Sequence, residues 1–150
     1  MNIVANTRII KGLNELLATY QVYYQNLRGF HWNIQGPRFF DLHTKFEELY
    51  TESAVNIDDI AERILALDGI PLHSFSQYTE TSRIKATTNV HDSETSVRTV
   101  IENLDAILGI MLEILKDASE EGDEGTVTLV SDMIKLQEKT RWMFKAWLKG

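Results

Sequence analysis

Apolar residues recur at every third or fourth position through four long stretches of this chain, a spacing that fits helices and not strands. The first stretch carries Ile9, Leu13, Leu16, Tyr20, Tyr23, Leu27 and Phe30, and ends between Asn33 and Pro37. The second runs from Phe39 through Leu42, Phe46, Leu49, Ser53, Ile57, Ile60 and Ile64 to Leu67, with Gly69 and Pro71 as its stop signal. From Leu72 to Val90 the pattern gives way to polar, Ser- and Thr-rich sequence, read as a crossover with one short helix around Phe75 to Tyr78. It is too long for a tight hairpin. A third helix opens near His91 to Glu94 and carries Val97, Val100, Leu104, Ile107, Met111 and Leu115. Gly122 and Gly125 are expected to break it, and a fourth helix to run from about Thr126 to the end. The expected class is all-α, a single domain over residues 1–150: a four-helix bundle whose one long connection, between helices 2 and 3, suits a ferritin-like topology.

Composition narrows the function. With 150 residues the chain is long enough to bury a proper core. Its formal net charge of -7 opposes a general affinity for phosphate backbones, and no local basic arm overrides that figure. The absence of cysteine removes disulfides, thiolate metal sites and thiol nucleophiles. The opening MNIVANTRIIKGLNELL has neither the form of a signal peptide nor the length of a membrane span, so a cytoplasmic protein with no membrane association is expected.

The second helix carries two acidic or imidazole pairs, each one turn apart: His43 with Glu47, and Asp58 with Glu62. At about 1.5 Å per residue the pairs stand roughly 16 to 29 Å apart along the axis, too far to share a metal within one straight helix. Positions 43 and 62 nevertheless have the same midpoint as 47 and 58, between Glu52 and Ser53. Laying the helix antiparallel against its own copy brings His43 opposite Glu62 and Glu47 opposite Asp58, giving a two-fold interface with two identical sites. Ser53 and Ala54 near the pivot are small enough for close approach.

Taken singly, each of these residues is most simply a solvated face residue. Gathered under a two-fold, they leave excess negative charge that a divalent cation would neutralise. Mixed nitrogen and oxygen ligation suits iron(II), manganese or zinc. No Glu-x-x-His pair occurs, which disfavours a di-iron centre wholly inside one bundle.

The runs His31-Trp32-Asn33-Ile34-Gln35-Gly36-Pro37, Phe39-Phe40-Asp41-Leu42-His43 and Asp58-Asp59-Ile60-Ala61-Glu62-Arg63-Ile64 resemble the Dps proteins, the mini-ferritins of bacteria and archaea. Glu121-Gly122-Asp123 and Lys139 to Ala146 extend the resemblance over nearly the whole chain. It implies a ferroxidase centre between two-fold-related subunits, with His31 and His43 from one chain and Asp58 and Glu62 from the other, Glu62 being the favoured bridge. Glu47, where the family usually has Asp, is implied at the second metal position.

Further implications of the resemblance are a hollow homododecamer built from two-fold dimers, which oxidises iron(II) at these sites, preferably with hydrogen peroxide, and stores iron(III) inside against oxidative damage. Trp32 would intercept stray radicals beside the centre. The acidic cluster Asp117, Glu120, Glu121, Asp123 and Glu124 falls where the family places its three-fold pores, with Glu120 and Glu124 favoured as lining residues and Thr128 standing where many relatives have Asp. The alternatives are a nucleoid protein that condenses DNA, or a helical bundle without redox activity whose interface charges merely pair. The first usually relies on a basic tail, and here only Arg8 and Lys11 precede the first long apolar run. His73 and His91, in or beside the crossover, are assigned no role.

Overall fold

The computed structural model describes residues 3–150, with side chains from Asn6 onward. Met1 and Asn2, at the start of the segment read above for targeting signals, lie outside the described residues. Five helices follow in chain order: α1 (Ile3–Asn33), α2 (Phe39–Ala66), α3 (Phe75–Thr81), α4 (Ser93–Glu120) and α5 (Glu124–Lys149). Among the described residues there is no strand, and no helix is long and apolar enough to cross a membrane. The long helices make one bundle, in which α1 packs on α2 and α4, and α4 packs on α5. Its centre is the apolar stripe read from the spacing: Leu13, Leu16, Phe46, Ile60, Leu104 and Ile107 are all fully buried.

Local chemistry sets the ends. Gly36, at φ 106°, turns the chain between α1 and α2 in a conformation that favours glycine. The turn is tied to the far end of the crossover by the Gln35 N–H, which donates to the His91 carbonyl at 2.8 Å. Helix α2 closes with the Gly69 N–H donating to the Ile64 carbonyl, yet the left-handed residue there is Asp68, φ 64°. Gly69 serves close packing instead, since a Cβ would meet Ile10 Cγ2 at 2.9 Å.

The polar crossover is held to α1 by side chains that take the place of backbone partners. Asn14 accepts from Leu72 N–H and donates to the Ile70 carbonyl, while Asn26 accepts from Thr87 N–H and donates to the Lys85 carbonyl. Thr19 Oγ1 accepts from Arg83 N–H, whose guanidinium bridges Glu15 and Glu113. Within this segment α3 is started by a capping box between Ser74 and Gln77.

Several boundaries differ from the sequence reading. Gly125 does not break the chain: it lies in the first turn of α5, where a Cβ would come within 2.6 Å of the Arg63 guanidinium carbon. The break belongs to Gly122, φ 70°. Helix α5 begins at Glu124 rather than Thr126 because Asp123 caps it, accepting from the Thr126 N–H at 3.2 Å and from its hydroxyl at 2.6 Å. Ser53 is not at an exposed pivot either. It is buried in the chain's own core, and Thr51, Ala54 and Val55 are the exposed residues at that level of α2.

Candidate metal centre

The five-residue turn between α1 and α2 reverses the chain so that His31, in the last turn of α1, meets His43, in the second turn of α2. Their rings stack with centroids 3.8 Å apart and planes 12° from parallel. His31 Nδ1 lies 2.6 Å from the His43 carbonyl oxygen, and His43 Nδ1 lies 2.7 Å from the His31 carbonyl oxygen. A carbonyl only accepts, so each Nδ1 is the donor, and the neutral form of each ring has its lone pair on Nε2. Holding the inner nitrogen with a fixed acceptor is how proteins orient metal-binding imidazoles.

Aromatic groups wall this pair. Phe39 stacks on His43 at 4.8 Å, and Tyr50 stands edge-on to His31 at 5.3 Å. Glu47 is exposed; its Oε1 lies 3.8 Å from His31 Nε2 and accepts a long hydrogen bond, 3.4 Å, from the Tyr50 hydroxyl. The stacked imidazole pair thus has one carboxylate, that of Glu47, beside His31 at the exposed side. Tyr50 and Phe39 were not singled out as site residues from the sequence. The available signal was spacing alone, since Tyr50 follows Glu47 by three and His43 by seven on the same helix face.

Asp58 and Glu62 lie on the same exposed stripe of α2, further along. The Glu62 carboxyl titrates above its ordinary range, first because it shares a hydrogen bond with Asp58 and second because the Asp58 charge repels its own. Such a doublet gains from a cation. Among the described residues, no three His, Asp or Glu side chains of one chain gather into a cluster able to hold a metal. The imidazole pair and the carboxylate pair thus lie apart on one chain, and Thr51, Ala54 and Val55 between them on α2 are exposed.

Trp32 is 57% exposed beside the His pair, with the Arg28 guanidinium 4.9 Å from its ring centroid, so it is not a packing residue at the end of α1. The acidic turn divides into two sets. Asp123 is buried as the α5 cap and pairs with Arg63 at 2.6 Å, and Asp117 pairs with Arg8 at 3.6 Å. Asp123 is thereby committed to the cap, whereas Asp117 and Glu121 stay half-buried. Glu120 and Glu124 are exposed, as is Thr128. His73 Nδ1 meets the Pro71 carbonyl two residues before it, and His91 Nδ1 meets the carbonyl of Asn33 at the end of α1.

The Ferritin family profile, a ferritin-like domain, matches residues 10–150. The chain is 42% identical over 139 residues to the DNA protection during starvation protein of Porphyromonas gingivalis, spanning 93% of this chain and 87% of that one. Its backbone superposes on the Dps protein of Vibrio cholerae O1, a member of a broad superfamily of ferritin-like diiron-carboxylate proteins, with a TM-score of 0.95 at 46% identity, covering 99% and 96% of the two chains. The chain belongs to the Dps family. A Dps protein from Bacillus brevis matches this Dps chain equally well in backbone, TM-score 0.95, at 34% identity and 99% coverage of both. The expected ferritin-like bundle, with a short helix in its long crossover, is the fold observed.

Proposed function

We propose that this Dps chain is a mini-ferritin subunit that binds iron(II) between two-fold-related copies and oxidises it as a ferroxidase. The observation that carries the reading is the reciprocal bonding of His31 and His43, which occupies both Nδ1 atoms and leaves Nε2 of each ring as the nitrogen available to a metal, with Glu47 Oε1 3.8 Å from that of His31. Asp58 and Glu62, on the same exposed stripe of α2, supply the other half of each site when two copies pack antiparallel about the level of Ala54. Iron is the substrate. The imidazoles bind as neutral donors and the carboxylates neutralise charge, with Glu62 as the bridge and Glu47 at the second position. Two iron(II) ions each give one electron to hydrogen peroxide, which takes up two protons from solvent as its O–O bond cleaves to two waters. Trp32, exposed next to the site, is placed to donate an electron to an escaping radical. The iron(III) product is stored inside a hollow homododecamer in the cytoplasm.

The test uses two chains, each broken in one half-site: His31→Ala/His43→Ala and Asp58→Ala/Glu62→Ala. Each alone should oxidise iron(II) no faster than a protein-free control. Co-expressed with different tags and isolated as mixed assemblies, they should regain activity, because each mixed pair has one interface site made of two intact halves. Mixed pairs that fold and assemble yet recover nothing would refute the inter-subunit centre.

A further inference from the structure

Three polar atoms without a hydrogen-bond partner lie at about the same height in the bundle interior: Tyr23 Oη on α1, Ser53 Oγ on α2 and Gln137 Oε1 on α5. All three residues are 1% exposed. Helix register sets that height. The contacts of Tyr20 with Asn56 and of Tyr24 with Tyr50 put Tyr23 level with residues 51 to 53, and the contact of Gln137 with Glu52 puts Gln137 at the same height.

Their neighbours are already engaged. Tyr20 Oη accepts from Gln137 Nε2 at 2.9 Å and from Asn56 Nδ2 at 3.5 Å, and Gln137 Nε2 also reaches Glu52 at 3.4 Å. Exchanging the oxygen and nitrogen of the Gln137 amide would only leave its nitrogen orphaned instead. Buried polar atoms are almost always paired, and three orphans at one level of three helices point to a shared partner. Ser53 is the smallest side chain in an inward stripe otherwise made largely of Leu42, Phe46, Leu49, Ile60 and Ile64.

The chemistry of the orphans identifies what fits. Two hydroxyls that both donate and accept, and one amide oxygen that only accepts, suit a small neutral molecule with donors and acceptors of its own. A cation would find only the half-buried Glu52 to balance it, and an anion would face that carboxylate.

We propose that the bundle interior holds an internal water site bounded by Tyr23, Ser53 and Gln137, which ties α1, α2 and α5 together at mid-height. Bridging waters of this kind satisfy buried groups that no side chain reaches. The site stands apart from the proposed iron centre and does not depend on it. A high-resolution crystal structure of the assembled protein should show ordered water within hydrogen-bond distance of all three atoms. Magnetic relaxation of water oxygen should count at least one long-lived water per chain that disappears in the Tyr23→Phe/Ser53→Ala variant. Absence of density between the three residues would overturn the proposal, as would density with cation-like contact lengths that takes up rubidium on soaking. So would a long-lived water count unchanged in the folded variant. If that variant fails to fold, the density of the native protein decides the question alone.

Discussion

Arg63, near the end of α2, places Nη2 2.6 Å from the carboxylate of Asp123, the residue that caps α5. This pair fastens the turn of α2 that carries Asp58 and Glu62 to the start of the last helix. Burial alone would raise the Asp123 carboxyl, but the hydrogen bonds from Thr126 and Arg63 outweigh it and hold the group below its ordinary range.

Because the folded carboxyl titrates below its unfolded value, the stability it confers is present in full above the ordinary range, about pH 3.9, and is lost as the pH falls through the depressed value. Asp123→Asn should therefore cost about 1.5–3 kcal/mol at neutral pH. The cost should shrink on acidification. Denaturant unfolding followed by circular dichroism at neutral and acid pH measures both; an equal loss at every pH would contradict the assignment.

Removing the Tyr50 hydroxyl tests how Glu47 is held. Tyr50→Phe keeps the ring edge against His31 but frees Glu47 Oε1. Anaerobic iron(II) titration should show the second metal bound several-fold more weakly and the first nearly unchanged. His43→Ala, which removes a ligand and the bond to the His31 carbonyl together, should weaken the first metal by about 10–100-fold.

Glu120 and Glu124 are the exposed acids of the turn, Asp123 being a buried cap and Asp117 and Glu121 half-buried. A ring of carboxylates raises the local cation concentration. Changing both to Gln should slow iron uptake at low iron(II) while the oxidation rate at saturating iron(II) stays the same. Unaltered uptake at low iron(II) would remove them from the path.

DNA should remain free in gel-shift assays near neutral pH and modest salt. The chain carries a formal charge of -7, so there is little counterion release to drive binding. Complexes that form there and dissolve only at high salt would overturn this expectation.

The four long helices were legible because a 3.6-residue period is a property of sequence alone. The placement of His43, Glu47, Asp58 and Glu62 along one face of α2 was legible for the same reason. Ser53 and Ala54 show where legibility stops: both are small, and only the phase of α2 against its neighbours decides that Ser53 turns inward and Ala54 outward. Asp123 read as one acid among five, since neither its capping geometry nor its contact with Arg63, sixty residues away, leaves a trace in spacing. The same holds for the bonds between the two histidines, which join side chain to backbone across a turn.

Those bonds span only twelve residues, whereas the carboxylates that would complete the centre come, under two-fold pairing, from another molecule. Each half would thus be finished within one chain, the imidazoles when a single hairpin closes and the carboxylates when α2 forms, and the whole centre only when two chains meet. Dilution would then act as an off switch: separated chains would keep a correctly oriented but weakly binding pair of imidazoles, and oxidation per chain would rise with protein concentration until every α2 had found its mate.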